Sequence, residues 1–389
     1  MTKLDELIQE LCPDGVEFVS MNELLKRKQI STITPTIKVK RNDYLDIGET
    51  PIISQEIEYI SGYCNFHDKN IPCGNYVCFG DHSEHIKYIN FSFVQGADGL
   101  KIMRTNESTI SSRYLFHALS SKYQRHNNYE RHFKYLTDTI IPVPPLPVQR
   151  EIVRILDNFT ELTAELTAEL TARKKQYAYY RDKLLTHSSE TKICKLADVC
   201  ESIADGDHMP PPKADDGIPF ITISNITEQN KIDFSNTMFV PSSYYDALAD
   251  KRKPHSGDIL YTVVGSYGIP VCIEQDTKFV FQRHIAILRP RSEVIKARYM
   301  FHAMQSGAFK AQADKAAKGA AQKTIGLSSL AEMTLPVPDM CIQERLIHVL
   351  DNFDAICTDL NIGLPAEIEA RQKQYEYYRD KLLSFEEKT

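Results

Sequence analysis

From Ile152 onward, apolar and aromatic residues recur at spacings of three and four: Ile155, Leu156, Phe159, Leu162, Leu166, Leu170, Tyr177, Tyr180 and Leu184. That period sets them on one face of an α-helix, and so long a face needs a partner. Pro147 suits the first turn, where a missing N–H is no loss. A helix over residues 150–185 would reach about 54 Å at ~1.5 Å per residue. A second stripe, through Leu346, Leu350, Phe353, Ile356, Leu360, Ile368, Tyr375, Tyr378 and Leu382, is its natural partner. Gly363 and Pro365 predict a kink or break in that second helix. The rest of the chain is mixed and strand-rich. Residues 217–226 (GIPFITISNI), 257–273 (GDILYTVVGSYGIPVCI) and 278–290 (KFVFQRHIAILRP) combine β-branched and aromatic residues with bounding Gly, Pro, Asn and Asp. Short helices are expected over residues 113–119 and 298–304.

The chain repeats itself. RKKQYAYYRDKLL at residues 173–185 recurs as RQKQYEYYRDKLL at 371–383, with 11 of 13 positions identical. PVPPLPVQREIVRILDNF (142–159) recurs as PVPDMCIQERLIHVLDNF (336–353), and RYLFHAL from Arg113 recurs as RYMFHAM from Arg298. These repeats predict two copies of one α+β domain, residues 1–145 and 188–339, alternating with long helices over 146–187 and 340–389. Antiparallel, coiled-coil-like packing of the helices would relate the globules by a pseudo-two-fold axis. Two similar but unlike surfaces at a fixed separation suit a bipartite DNA site, whose half-sites one turn apart lie ~34 Å from each other. A duplicated scaffold for two protein partners, binding no DNA, would use the same arrangement.

Between Phe159 and Arg173 the TELTAELTAELTA tetrads carry Leu at every fourth position. Each tetrad advances a helix by ~6 Å and one turn plus ~40°, close to the roughly 36° twist of one base pair. The tetrads would thus act as a ruler; the plainer reading is filler on a solvated helix.

With 389 residues, 42% hydrophobic and 25% charged, the chain is long enough for two or three cored units and is neither collagenous nor wholly disordered. No apolar run of ~20 residues and no signal-peptide pattern occur, and nine scattered cysteines fit reduced thiols, so a cytoplasmic protein is expected. The net charge of −6 leaves no global basic footprint: residues 14–141 and 190–338 are each neutral, and residues 339–389 carry −5.

Local clusters matter more. In residues 113–136, Arg113, Lys122, Arg125, Arg131 and Lys134 face one acid, Glu130; in residues 310–326, Lys310, Lys315, Lys318 and Lys323 face Asp314. The cations suit phosphates, and Asn127, Asn128, His132 and Gln322 suit base edges, although a basic helix is often only a solvated face. Asp81, His82 and Ser83 after Gly80, Asp207 and His208, Ser266 and Tyr267 after Gly265, and Arg283 with His284 offer either base-reading or ordinary turn chemistry. Gly80 and Gly265 stand 185 residues apart, the offset between RYLFHAL and RYMFHAM, which suggests counterpart loops. Cys64, His67, Cys73, Cys78, His82 and His85 raise a zinc-dependent enzyme as a distant alternative; their spacing has no second tight doublet. G-x-S-x-G, Walker A, H-E-x-x-H and Asn-Pro-Pro-aromatic motifs are absent, so no metal site, no catalysis and no cofactor on this chain are expected.

LCPDGVE at Leu11, the two Pro-Val-Pro helix starts and the twin tails resemble the specificity subunit (HsdS) of type I restriction-modification systems, across essentially the whole chain. The tetrads are similar to those of the type IC group, where their number is associated with the spacer. The resemblance implies a non-catalytic subunit with two target-recognition domains, each reading half of an asymmetric, interrupted DNA site. It implies two methyltransferase (HsdM) subunits docked on the helices, binding S-adenosylmethionine and methylating adenine N6 after flipping the base. It also implies restriction (HsdR) motor subunits that use ATP and Mg²⁺, and no membrane partner. By position, Gln149, Arg154, Arg173, Lys175, Gln176, Tyr177, Tyr180 and Arg181, with Gln343, Gln374, Tyr375, Tyr378 and Arg379, fall to subunit docking or helix packing. The interruption at residues 363–365 departs from the family pattern and puts a straight ruler in question.

Overall fold

The structure, a computed structural model, describes the chain apart from residues 1, 36, 66–69, 97–98, 187–190, 207–210, 228, 320–321, 360–361 and 389. Two compact units cut across the expected segments: Met1–Glu165 with Ile368–Thr389, and Leu166–Glu367. Each unit joins a globule to the head of its own long helix and the tail of the other.

The first long helix is continuous over Leu146–Leu185. Its counterpart is split into Met340–Thr358 and Leu364–Leu382, as Gly363 and Pro365 predict. A Cβ on Gly363 would sit 2.6 Å from the Asp359 carbonyl oxygen and 2.7 Å from that of Ala355, so only glycine lets the chain turn so close to the helix end. Pro365 then falls in the first turn of the new helix, where its lack of an N–H costs nothing.

The globules repeat strand for strand. In the first unit an antiparallel sheet runs Ile30–Ile33, Leu100–Thr105, Tyr76–Gly80, Ile86–Ile89; in the second the same order is filled by Cys200–Asp205, Ile285–Pro290, Ile259–Thr262 and Pro270–Cys272. A three-stranded sheet accompanies each, with one antiparallel and one parallel neighbour around Thr50–Ile53 or Ile218–Ile221. A two-stranded ribbon closes each globule, Glu17–Ser20 with Ile140–Val143 and Lys192–Lys195 with Thr334–Val337.

The helix stripe is buried at its ends. Val148, Ile152 and Leu156 enter the first core beside Tyr114, Leu115 and Leu119, while Tyr177 and Leu185 enter the second beside Tyr299, Met300 and Leu350. Leu162 and Leu166 of the tetrads are only half-buried. A fully buried Leu contributes roughly 1.5–3 kcal/mol, so the helix is held mainly by its two ends.

Matching polar clusters fasten those ends. Asp157 Oδ1 accepts from Arg113 at 2.7 Å and from His117 Nε2 at 3.1 Å, and His117 Nδ1 lies 2.9 Å from the Tyr375 hydroxyl. In the second unit Asp351 accepts from Arg298 at 2.6 Å and His302 Nε2 at 2.7 Å, and His302 Nδ1 lies 2.9 Å from the Tyr177 hydroxyl. Burial pushes both histidines below their ordinary pKa, against the opposing pull of the aspartates. Each neutral ring therefore donates from Nε2 to carboxylate and accepts the tyrosine proton at Nδ1. Phe159 stacks on Tyr378 and Phe353 on Tyr180, at 5.3 and 5.8 Å between ring centroids. In the second unit, Phe353 faces Tyr180 and Tyr177 while Cys357, one turn on, feels the charges of Lys174 and Arg173. Those segments thus run antiparallel.

Candidate nucleic-acid interface

A cleft opens at one end of each four-stranded sheet. In the first unit Thr32, Thr34, Lys38, Asp81, His82, Gln95, Lys101, Arg131 and Phe133 line about 460 Å³. In the second, Asp205, Val263, Val264, Arg283, His284, Gln322 and Thr324 line about 290 Å³. The register fixes their equivalence. Gly80 pairs with Leu100 and Thr262 with Ile285, so His82 and Val264 both follow the same strand end, and Gly99 and His284 both precede the same next strand. The counterpart of Gly80 is therefore Thr262, not Gly265 as the 185-residue offset suggests; the two loops differ in length.

The lining differs between the clefts. Lys38, Lys101 and Arg131 make the first cationic around one carboxylate. The second presents a guanidinium, an imidazole and an amide, groups that can donate to or accept from base edges. Burial and the Arg283 charge push the His284 pKa down, which favours the neutral ring with one donor and one acceptor nitrogen. Gly206 closes the loop beside this cleft, since a Cβ there would lie 2.1 Å from the Phe281 carbonyl oxygen.

Residues 123–132 form a strapped loop beside the first cleft. Glu84, only 2% exposed and at φ 57°, accepts from the Tyr123 hydroxyl at 2.6 Å, from the His126 N–H at 2.9 Å and from the Asn127 N–H at 2.8 Å. Burial alone would raise its pKa, but these donors together outweigh it and hold the carboxyl at about 2. His126 stacks on Tyr135 with centroids 4.0 Å apart.

This geometry reassigns several expected base readers. His132 is fully buried, with its ring nitrogens on the Asp81 carbonyl and the Asn128 side chain, so it braces the loop from inside. Asp81 is buried and accepts from the Phe133 N–H at 2.9 Å. Asn128 is engaged on both sides, by His132 and by Glu130. Asn127 (φ 54°) contributes its backbone N–H to Glu84, and the Ser83 hydroxyl donates to the Gln55 carbonyl. Lys134 pairs with Glu130 at 3.1 Å. Lys122 is half-buried at a helix end, whereas Arg125, 3.2 Å from His85, and Arg131 face solvent. His82 donates from Nδ1 to the Glu130 carbonyl at 2.9 Å. In the second unit Ser266, Lys315, Lys318, Gln322 and Lys323 are exposed, and Tyr267 donates to Asp314 at 3.0 Å. Asp207 and His208 lie outside the described residues.

Among the helix residues, Gln149 and Gln343 are fully buried and cannot meet a partner. Each takes a backbone N–H, of Ser111 or Lys296, on its oxygen and donates to two carbonyls from its nitrogen. Tyr177 and Tyr375 are fasteners within the chain, and Tyr180 and Tyr378 pack as described. Arg181 and Arg379 lie over the rings of Tyr177 and Tyr375. Arg154 is exposed and pairs with the buried Glu151, while Arg173 with Glu169 and Gln176, and Gln374 with Arg371, pair on accessible helix surface. Arg113, expected among the phosphate-binding cations, is instead engaged by Asp157; the other members of the two trios, His117, Asp157, Arg298, His302 and Asp351, carry no expected role, though all six residues stand in the repeated motifs. Of the cysteine and histidine cluster, His67 lies outside the described residues. Cys64 and Cys78 are buried in separate cores, and Cys73 is exposed. Among the described residues no three His, Cys, Asp or Glu are placed to hold a metal ion, and no helix is long and apolar enough to cross a membrane.

A family model described as the type I restriction modification DNA specificity domain matches this chain twice, over residues 13–173 and 188–370. The chain belongs to that family. The match to the type I specificity family falls on both copies of the repeat, so the two clefts lie in two specificity domains of one subunit. The EcoR124I/EcoR124II specificity subunit of Escherichia coli is 30% identical, over 99% of this chain and 97% of its own length. Solved structures agree in fold. A chain from work on complex assembly and conformational transition of the type I R-M system aligns at TM-score 0.56 and 16% identity, covering 96% of this chain and 98% of that one. The S subunit from M. genitalium aligns at TM-score 0.53 and 13% identity, covering 95% and 96%.

Proposed function

We propose that this specificity subunit reads an asymmetric, interrupted DNA sequence, one half at each cleft. The observation that carries the reading is the construction of one cleft twice on one topology, with Lys38, Lys101 and Arg131 in the first and Arg283, His284 and Gln322 in the second. The same strand order supplies the frame, and unlike side chains supply the difference between half-sites. The TAEL tetrads, the least buried part of the continuous helix, set the gap.

The chain performs no chemistry in this reading. Two methyltransferase (HsdM) subunits dock on its helices and carry S-adenosylmethionine, and restriction (HsdR) subunits supply ATP- and Mg²⁺-dependent motor activity, all in the cytoplasm. The repeated exposed tyrosines Tyr179 and Tyr377, 61% and 62% accessible, support docking on both tails. The test is DNA binding by the chain with its methyltransferase partners as salt rises: neutralising several phosphates makes affinity fall steeply. A flat response would instead favour the protein scaffold.

A further inference from the structure

The strapped loop presents one residue that the clefts leave unused. Tyr129 is 91% exposed. It is nonetheless ordered: its ring lies on the His82 imidazole with centroids 5.2 Å apart and planes 18° from parallel. His82 is itself fixed by its bond to the Glu130 carbonyl, and the loop is tied on both sides, by Glu84 at His126 and Asn127 and by Asp81 at Phe133. The contact with His82, which lines the first cleft together with Arg131, covers little of the tyrosine ring and leaves most of it open. Arg125 and Arg131 flank it in the same loop. An exposed aromatic on a loop that also carries cations suits stacking on a nucleobase beside the phosphate backbone.

We propose that Tyr129 is a base-contacting residue of the first specificity domain. Held beside His82, it lays its ring on a base at the edge of the first half-site, at a step that the protein partly unstacks. The proposal rests on the DNA-reading function above. Residues 317–325 of the second unit, AKGAAQKTI, which precede the helix Leu327–Glu332 as residues 123–132 precede the helix Phe133–Asp138, contain no counterpart of Tyr129, so the second half-site serves as an internal control for its substitution.

The experiment uses the full chain with its methyltransferase partners, and duplexes carrying the sequence found by mapping methylated adenines. 2-Aminopurine replaces one base at a time across the first half-site and its flank. Wild type and Tyr129→Phe should change the fluorescence at one position. Tyr129→Ala should abolish that change and weaken binding between about 5-fold and 150-fold, the range of base–aromatic stacking. His82→Ala should act in the same direction to a smaller extent, and preference at the second half-site should not move. Unchanged affinity and fluorescence in Tyr129→Ala, with wild type binding specifically, would overturn the proposal and leave the DNA reading intact. Absence of salt-dependent, specific binding by wild type would overturn both.

Discussion

Replacing Glu84 by Gln should release residues 123–133 without unfolding the globule. The carboxylate is buried and takes one hydroxyl and two backbone N–H groups, and Gln offers a single acceptor oxygen plus an NH₂ that opposes the donors. A carboxyl held at about 2 instead of 4.5 corresponds to about 3 kcal/mol of preference for the charged form. Because the folded pKa is depressed, this stabilisation is complete above pH ~4.5 and is lost as pH falls towards 2. Two compact units make global unfolding a poor readout, so the assay is hydrogen exchange of the peptide covering residues 123–133, corrected for intrinsic rates. At pH 7 the variant should exchange about 100-fold faster than wild type, the equivalent of ~3 kcal/mol. On acidification, wild-type protection should persist to about pH 4.5 and then fall, while the variant changes little. Protection within about 3-fold of wild type at pH 7 would refute the strap.

Four further outcomes follow from the same geometry. Tyr177→Phe and Tyr375→Phe should each speed hydrogen exchange of its own tail, residues 173–185 or 371–383, by about 5-fold, the equivalent of about 1 kcal/mol, since each removes the donor to a buried histidine; unequal effects would contradict the equivalence of the two fasteners. Exchanging residues 173–185 with 371–383 alters only Lys174, Ala178, Gln372 and Glu376, none of them a fastener, and should leave hydrogen exchange of both tails within about 2-fold, the equivalent of about 0.5 kcal/mol; a large acceleration in either tail would show that those positions help to hold it. Arg283→Ala should relax one position of one half-site by about 1–3 kcal/mol, or weaken binding broadly if it meets phosphate, as selection from randomised duplexes would report. Deleting one TAEL tetrad should shift the preferred gap and leave both half-sequences unchanged; altered half-sequences in the same selection would refute the spacer.

The parts of the fold that were legible from residues alone are those written twice. Periodicity marked the helix of Leu146–Leu185, and Gly363 with Pro365 marked the break in its counterpart, because steric rules act locally. RYLFHAL, the DNF motif and the tails contain every member of the fastening clusters. Their meeting was not legible, since nothing in a single chain says that Tyr375 reaches His117 and not His302. Loop chemistry was legible only as composition. Asp81, Asn128 and His132 have the polarity of base readers, but which side of a loop turns inward depends on Glu84, a single acid in a left-handed conformation with no sequence signature. The length difference that aligns Gly80 with Thr262 appears only when strand register is known.

The central claim is that one chain carries two independent readers. Methylated adenines should be mapped in cells that express this chain with its methyltransferase partners, once with wild type and once with residues 16–143 replaced by the same segment of a relative. The account predicts a two-part sequence with a constant gap, of which the exchange alters one part and spares the other. Methylation of a single uninterrupted sequence, or alteration of both parts together, would contradict it.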